Sequence, residues 1–270
     1  MLRDGARTRS AVPKVLVIGG LDPSGGAGVL IDAFVVANFG AFPYVAISAI
    51  TAQNSGGVAS ASPVDPELVA RQIDAVLAEG GISAVKTGMI PTMEVAEAVI
   101  EKVRDLGIPV VIDPVLRASD GTPLFRGDLS EYASRFASKA TILTPNVPEA
   151  EALSGHRVSG ESDMEKAGRA LMTMGADWVF LKGGHLEGEA VDLLMGPGSK
   201  RAYRVKKEPE AMRGTGCTLA ASIAALLAAG TEIEIAVSMA RDFVAREMKS
   251  SEAIGLGGRQ APLHKSRFCD

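Results

Sequence analysis

The chain has 270 residues, with 28 lysines and arginines against 32 aspartates and glutamates, and its formal net charge is −4. This balance excludes a non-specific nucleic-acid binder, which needs a basic excess, and the 47% of hydrophobic residues excludes a chain that is disordered throughout. Glycine is over-represented, because 30 glycines are about 11% of the chain against a usual ~7%. Aromatic residues are only 4%, which predicts little aromatic stacking on a ligand.

Cysteine content and apolar runs predict a cytoplasmic protein. Two cysteines, Cys217 and Cys269, are too few for a disulfide framework and favour a reducing compartment. No apolar run approaches the ~18–20 residues of a membrane span, so no membrane attachment is expected. The apolar run at residues 15–18 is too short for a signal peptide. We interpret residues 1–12 as a flexible extension and residues 13–270 as a single domain.

Strand and helix patterns alternate along the chain. The predicted strands are short apolar runs at residues 14–20, 45–50, 83–86, 109–113, 140–144 and 178–182. The predicted helices have apolar residues at helical spacing and cover residues 28–39, 66–77, 93–106 behind a Thr92 cap, and 149–153 continuing at 164–174. Residues 191–195 and 203–206 predict an antiparallel edge around a Gly-Pro-Gly turn, and two helices follow from Gly216 and from about Glu232.

This alternation predicts an α/β fold with a mostly parallel sheet that is covered on both faces. In such sheets the ligand binds beyond the carboxyl ends of the strands. Glycines and polar residues follow those strand ends repeatedly, at residues 19–20, 86–88, 113, 146 and 182–184. The sequence therefore predicts that groups far apart in the chain form one rim in space.

Two glycine-rich segments indicate binding loops. Residues 213–218 (RGTGCT) open an apolar helix, and the amides and positive dipole of a helix N-terminus favour an anion; the alternative is a plain helix-opening turn. Residues 22–28 (DPSGGAG) would let a small ligand approach the backbone closely; the alternative is a tight loop only. Neither segment has the dinucleotide-binding or P-loop pattern, so a Rossmann dinucleotide site is disfavoured.

Charged residues at the strand ends predict phosphate and Mg²⁺ binding. Lys182 can place a point charge on a phosphate, or extend to solvent. Asp113 and Glu149 offer the hard oxygen ligands that Mg²⁺ prefers, although Glu149 is also typical of a helix first turn. His185 has no second histidine or cysteine at metal spacing, so we interpret it as a packing residue or an accessory contact. Together these groups indicate phosphoryl transfer from a nucleotide that is not held by a P-loop.

Seven motifs in a fixed order resemble the hydroxymethylpyrimidine (phosphate) kinases of thiamine biosynthesis, which are ribokinase-like enzymes. The motifs are GLDPSGGAG at residues 20–28, TAQN at 51–54, KTGM at 86–89, DPV at 113–115, TPNVPEA at 144–150, KGGH at 182–185 and GTGCT at 214–218. The resemblance runs from about residue 14 to the end of the chain. It implies a ribokinase-like three-layer αβα sandwich and a homodimer. It also implies ATP- and Mg²⁺-dependent phosphorylation of a hydroxymethyl group on an aminopyrimidine, and then of the resulting monophosphate.

The resemblance also implies site residues. The residues expected to contact the pyrimidine are Gly20, Ala27, Asp32, Gln53, Met89 and Val115. The residues expected on the ATP phosphates are Asn146, Lys182 and Thr215, with Asp113 and Glu149 near Mg²⁺. The anion hole is expected at Gly214, Thr215, Gly216 and Cys217, which form the catalytic set with Lys182.

Cys217 stands where many ribokinase-like sugar kinases have an aspartate base. A helix N-terminus lowers the pKa of a thiol, so we expect a lowered pKa at Cys217 and a thiolate able to accept the hydroxyl proton. Phosphoryl transfer has a loose transition state that needs little help from a base. Our hypothesis is therefore that Cys217 mainly completes the anion hole.

The chain departs from the family pattern at four places. Leu21 replaces a small hydroxyl residue, and residues 32–36 (DAFVV) replace an Asp-Leu-Lys-Thr stretch. Ser119 occupies the position of a flap lysine, and Arg213 stands where histidine is common. The last two changes bear on how a second phosphate is handled.

Two other functions stay open. Pyridoxal kinase acts on a similar flat heterocycle with a hydroxymethyl group, although Gln53 and Met89 favour the pyrimidine. A non-catalytic pyrimidine-binding protein is the other alternative. The presence of Lys182, Glu149 and the complete segment 214–217 argues against it.

Overall fold

The computed structural model describes residues 12–184, 190–205, 212–254 and 258–260. The strands of its main sheet are β1 (Lys14–Leu21), β2 (Phe42–Asn54), β3 (Gly57–Pro63), β4 (Ile82–Thr87), β5 (Val110–Ile112), β6 (Ile142–Leu143), β7 (Trp178–Leu181), β8 (Ala190–Gly196) and β9 (Ser199–Val205). The helices are α1 (Gly28–Asn38), α2 (Pro66–Ala78), α3 (Met93–Val103), α4 (Leu129–Phe136), α5 (Val147–Ser154), α6 (Glu161–Thr173), α7 (Thr215–Ala228) and α8 (Ile233–Ser250). A 3₁₀ turn (Ala137–Lys139) follows α4, and β10 (Glu252–Ile254) pairs with β11 (Gly258–Gln260) apart from the main sheet.

The main sheet has the strand order β3-β2-β1-β4-β5-β6-β7-β8-β9. The six strands from β2 to β7 in this order are parallel, with Val17 opposite Val45 where β1 meets β2. Strand β3 and the pair β8–β9 run antiparallel at the two ends. The predicted antiparallel edge is therefore confirmed.

Two apolar cores lie on opposite faces of the sheet. Strand β1 supplies both, because successive residues of a strand point to opposite sides. Leu16 and Ile18 pack in the core that α2 to α6 cover, whereas Val15 and Val17 pack in the core of α1, α7 and α8. All four side chains are completely buried. The expected three-layer αβα sandwich with a mostly parallel sheet is confirmed.

Helix boundaries follow local capping chemistry. Thr92 caps α3 as expected, because its hydroxyl accepts a hydrogen bond from the Val95 amide. Asn146 and Glu149 form a reciprocal capping box at the start of α5. Gly155, with φ of 72°, ends α5. The segment predicted as one continuing helix is therefore two helices, α5 and α6.

Three elements differ from the sequence prediction. Strand β2 is 13 residues long, and it turns back into β3, which was not predicted. Helix α4 was also not predicted, because only Tyr132, Ala133 and Phe136 of its eight residues are buried.

The predicted extension lies outside the described residues except for Val12. Among the helices described, none is long and apolar enough to cross a bilayer.

Candidate active site

The carboxyl ends of the parallel strands bring the predicted rim together. The amide of Gly88, after β4, donates to the carbonyl of Ile18 in β1 at 2.8 Å. The amide of Asp113, after β5, donates to the Thr87 carbonyl at 2.9 Å. The amide of Lys182, after β7, donates to the carbonyl of Pro145 at 2.8 Å. Segments that are up to about 160 residues apart in sequence thus share one edge of the sheet.

A lysine–aspartate pair occupies the middle of this rim. Lys182 Nζ donates to Asp113 Oδ1 at 3.0 Å, and the Thr144 hydroxyl donates to the same oxygen at 3.1 Å. Burial works to lower the pKa of Lys182, but the carboxylates of Asp113 and Glu149 raise it above its usual range. Lys182 therefore stays a cation at neutral pH, and 18% of its side chain is accessible to solvent.

Helix α7 points its N-terminus at this pair. A Cβ placed on Gly216 would lie 3.2 Å from Lys182 Nζ and 3.5 Å from Asp113 Oδ2, so the backbone of the first turn approaches both charges closely. Gly214 precedes the helix with φ of 72°, a conformation that favours glycine. Thr215 is the first residue of α7 and is partly exposed. The amides at this N-terminus are suited to an anion.

Cys217 lies in the first turn of α7, and its thiol does not have the pKa that the sequence predicts. Burial raises the pKa of Cys217 to about 12, although the neighbouring Lys86 cation and a hydrogen bond from the Gly28 amide act in the opposite direction. The expectation of a lowered pKa is wrong, because burial outweighs the Lys86 cation and the Gly28 hydrogen bond. At neutral pH the group is therefore a thiol.

Glu149 is buried beside the rim pair. Its carboxylate accepts a hydrogen bond from the Asn146 amide at 2.8 Å, and Asn146 Oδ1 accepts one from the Glu149 amide at 2.9 Å. Burial raises the pKa of Glu149 to about 7, while Lys182 acts to lower it. The side-chain oxygen of Asn146 is engaged in this cap, which leaves its amide group as a donor for a ligand.

The residues expected around a pyrimidine surround the start of α1 and the end of β1. Gly20 and Met89 are in contact, because a Cβ on Gly20 would lie 2.7 Å from Met89 Sδ. Met89 is buried, and Val115 packs at the margin of its apolar cluster. Gln53 Oε1 accepts a hydrogen bond from the Thr51 hydroxyl at 3.3 Å. Ala27 is the residue that precedes α1, and it is partly exposed.

Asp32 is placed differently from these residues, because it is completely buried in an ion pair with Lys86. The Lys86 Nζ to Asp32 Oδ2 distance is 2.7 Å. Among the described residues, none hydrogen-bonds the other carboxylate oxygen. Burial raises the pKa of Asp32 to about 6. A contact of Asp32 with a pyrimidine therefore stays a prediction, and the structure adds Lys86 as its partner.

The sequence analysis placed Lys86 on the rim, with residues 86–88 and the KTGM motif, but gave it no role. The available signal was a lysine near the end of an otherwise apolar strand. Burial acts to lower the pKa of Lys86, but the Asp32 carboxylate raises it above its usual range. A Cβ on Gly88 would lie 2.8 Å from Lys86 Nζ, so this buried cation lies directly beneath the rim.

The charges of the site fit a divalent cation. The Lys86 ammonium and the carboxyl groups of Asp32, Asp113 and Glu149 are buried, whereas the Lys182 side chain is 18% exposed. In the described part of the chain, no three histidine, cysteine, aspartate or glutamate residues are arranged to hold a metal ion. Mg²⁺ typically uses one or two carboxylates and keeps most of its waters, which matches Asp113 and Glu149.

Two further positions were singled out from the sequence, Ser119 and His185. Ser119 lies in a flap that is closed by a bridge between Arg117 and Pro123. The neighbouring Asp120 accepts a hydrogen bond from the Val58 amide at 2.9 Å, which joins the flap to the β2–β3 hairpin. His185 lies outside the described residues.

The mostly parallel sheet with helices on both faces and the glycine-opened helix N-terminus over a lysine–aspartate pair assign the chain to the class of ribokinase-like kinases, whose solved structures share this fold. More specifically, the chain belongs to the phosphomethylpyrimidine kinase family, whose model matches residues 22–264. The predicted family and the predicted phosphotransferase class are confirmed.

Known proteins resemble the chain over most of its length. The hydroxymethylpyrimidine/phosphomethylpyrimidine kinase of Streptomyces coelicolor is 36% identical, over 91% of this chain and 92% of that protein. A crystal structure of phosphomethylpyrimidine kinase from Clostridium difficile has a TM-score of 0.78 and 32% identity, over 88% of this chain and 99% of that one. The pyridoxal kinase of Staphylococcus aureus, in complex with AMP-PCP and pyridoxal, has a TM-score of 0.86 and 28% identity, over 97% of both chains.

Proposed function

We propose that this chain transfers a phosphoryl group from ATP to the hydroxymethyl group of an aminopyrimidine, and then to the resulting monophosphate, in thiamine biosynthesis. One observation carries the proposal. The N-terminus of α7 lies against the Lys182–Asp113 pair on one side and against the 22–28 loop on the other, where a Cβ on Gly214 would collide with the Gly26 carbonyl oxygen. A phosphate and a small heterocycle bound to these elements would be neighbours.

Phosphoryl transfer at this site would depend on positioning and charge. Lys182, cationic at neutral pH, would hold phosphate oxygens of ATP together with the amide group of Asn146 and the hydroxyl of Thr215. The backbone amides of residues 214–217 would stabilise the phosphoryl group during its transfer. ATP use is supported by the AMP-PCP complex of the S. aureus relative.

Asp113 and Glu149 are the residues that would hold Mg²⁺. When bound, Mg²⁺ supplies positive charge to the phosphate oxygens. The pKa of about 7 at Glu149 means that its carboxyl group is only partly ionised at neutral pH before a cation binds. Within the protein, Lys182 orients the Asp113 carboxylate and Thr144 supports it.

Cys217 would complete the anion hole. A thiol with a pKa of about 12 is a poor proton acceptor at neutral pH. The loose transition state lets the hydroxyl proton leave late, so a strong base is not needed. Cys217 would therefore contribute its amide and its position in the helix turn.

The pyrimidine would lie between Gly20, Ala27, Met89 and the margin of the flap at Val115. Gln53 offers an amide edge that matches the donor and acceptor pattern of an aminopyrimidine. Asp32 and its partner Lys86 would lie behind this surface, beneath Gly88. A Cβ on Gly88 would be 4.0 Å from Asp32 Oδ2 and 2.8 Å from Lys86 Nζ.

The test is a coupled ATPase assay with three substrates: the hydroxymethylpyrimidine, its monophosphate and pyridoxal. Phosphorylation of both pyrimidines, at rates above that of pyridoxal, is expected. Faster turnover of pyridoxal would replace the proposed substrate, and the high TM-score of the S. aureus pyridoxal kinase makes this the necessary comparison. Absence of turnover with all three would point to a binding protein, and Lys182→Ala is the control with strongly reduced activity.

A homodimer in the cytoplasm, with residues 13–270 as one domain, is part of the proposal. Large apolar side chains of α1 and β2 are exposed, among them Phe34 (57%) and Ile50 (55%). An exposed apolar set on adjacent elements is typical of a protein–protein contact. Light scattering of the wild type and of Phe34→Asp would test it; a monomeric wild type would contradict it.

A further inference from the structure

The two glycine-rich loops of the site contact each other through their backbones and through a charged side-chain contact, the clasp, which joins Arg213 to Asp22 and Ser24. Loop 22–28 follows β1, and residues 213–214 precede α7. Gly214 has φ of 72°, and only a residue without a Cβ fits against the Gly26 carbonyl oxygen. Beside this contact, Arg213 reaches back over loop 22–28 to Asp22 and Ser24.

Asp22 is the centre of the clasp. Its Oδ1 accepts hydrogen bonds from the Ser24 amide at 2.9 Å and from the Ser24 hydroxyl at 2.7 Å, which fixes the turn of the loop. Its Oδ2 lies 3.3 Å from Arg213 Nη2, and Arg213 Nη1 donates to the Ser24 hydroxyl at 3.3 Å. The guanidinium therefore holds the acid and the hydroxyl of one turn together.

Burial makes this contact more than a surface ion pair. The side chain of Asp22 is 2% exposed and that of Arg213 is 12% exposed. A buried ion pair is weak evidence for stability, because desolvation offsets much of the attraction. Its place is informative, because it joins the loop proposed to contact the heterocycle to the turn proposed to hold the transferred phosphoryl group.

We propose that Arg213 is a positioning residue that fixes the 22–28 loop against the anion hole through Asp22. The loop proposed to contact the heterocycle and the phosphoryl site are then held in register before either substrate binds. The guanidinium suits this task because its planar fork reaches two acceptors at once, which an ammonium does not. The kinetic part of this inference rests on the proposed function; the loop-fixing part does not.

Amide hydrogen exchange of the full chain tests the loop-fixing part. In Arg213→Gln, peptides covering residues 22–28 are expected to exchange about tenfold faster than in the wild type, because the turn loses its second anchor. Lys102→Gln is the matched control, since Lys102 joins α3 to Asp74 of α2 through an ion pair away from the site. Unchanged exchange in Arg213→Gln, or an equal increase in the control, would overturn the proposal.

Steady-state kinetics tests the positioning role. Arg213→Gln is expected to raise KM for the pyrimidine about tenfold while KM for ATP stays within about twofold, with Arg213→Lys between it and the wild type. A loss that falls equally on both substrates, or full activity of Arg213→Gln, would overturn it.

A double-mutant cycle measures whether Asp22 and Arg213 act through one contact. The double variant Asp22→Asn/Arg213→Gln is expected to have a KM for the pyrimidine no higher than that of the more impaired single variant, because both changes break the same contact. Additive losses would overturn the clasp. A wild type that phosphorylates no hydroxymethyl heterocycle would remove the proposed function, and the exchange experiment would still decide whether Arg213 fixes the loop.

Discussion

Two lysine–aspartate pairs lie at the carboxyl edge of the same sheet, and they differ in how far solvent reaches them. Lys86 and Asp32 are 2.7 Å apart, with 0% and 1% of their side chains exposed. Lys182 and Asp113 are 3.0 Å apart, with 18% and 3% exposed. The first pair is sealed beneath Gly88, and the second opens toward the N-terminus of α7.

The difference in exposure decides which lysine–aspartate pair can bind a ligand. A sealed pair cannot exchange its partner for a ligand, so its charges act only on neighbouring groups and on stability. The ammonium of the open pair can bind a phosphate oxygen without leaving Asp113. The sealed pair is also incompletely satisfied, because one Asp32 oxygen has no hydrogen-bond partner among the described residues.

The largest effect is expected from breaking the sealed pair on one side. Lys86→Met leaves the Asp32 carboxyl group buried without its cation, and the free energy of unfolding should fall by about 3–5 kcal/mol. Denaturant unfolding measures this. Lys86→Met combined with Asp32→Asn should recover much of the loss, since no charge remains unpaired. A single variant as stable as the wild type would contradict the sealed character of the pair.

Breaking the open pair should reduce activity and leave most of the stability. Lys182→Ala removes the cation proposed for the ATP phosphates, and kcat/KM should fall about 10²–10³-fold, comparable to the loss of one transition-state donor. The coupled assay gives this value, and Lys102→Ala is the control for removal of a lysine elsewhere. If Lys182→Ala lost stability as strongly as Lys86→Met, the two pairs would not differ as described.

The pH dependence of stability should come from Asp32, a member of the sealed pair, and from Glu149, which lies beside the open pair. The folded-state pKa is raised to about 7 at Glu149 and to about 6 at Asp32, from ordinary values of 4.5 and 3.8. The folded state therefore holds more protons between these values, so their stabilising contribution is complete below about pH 4 and is lost as the pH rises to about 7.

Replacement of Glu149 isolates its share of this effect. Glu149→Gln keeps an acceptor for the Asn146 amide, so the variant should gain about 1–3 kcal/mol relative to the wild type as the pH rises from about 4.5 to 7. Unfolding curves at several pH values, without divalent cations, measure the difference. A constant difference across this range would rule out a raised pKa at Glu149.

The sequence was sufficient for the features that follow from local pattern. Strand ends, glycine loops and the cap at Thr92 depend on neighbouring residues, so the rim and the layer order were predictable. The β2–β3 hairpin was missed because β3 (GVASASP) consists mostly of small and polar residues and shows no clear apolar pattern. Helix α4 was missed because it buries few residues.

Long-range partners could not be predicted in the same way. The pairing of Lys86 with Asp32 spans 54 positions, and that of Arg213 with Asp22 spans 191. Such contacts depend on how helices α1 and α7 pack on the sheet. The prediction of a lowered pKa for Cys217 failed for the same reason, because the sequence shows the helix terminus but not the burial that raises the pKa of the thiol.

The smallest effect is expected from the hydroxyl that supports the open pair. Thr144→Val removes the hydrogen bond to Asp113 Oδ1 in a completely buried side chain, so Asp113 loses one of two orienting donors. A cost of about 1 kcal/mol corresponds to a fall of about fivefold in kcat/KM. Thr141→Val is the matched control, because Thr141 lies at the other end of β6 and its hydroxyl oxygen accepts a hydrogen bond from the Val110 amide at 3.0 Å. Both variants should lose similar stability, but only Thr144→Val should lose activity, and equal activities would mean that Asp113 is held by Lys182 alone.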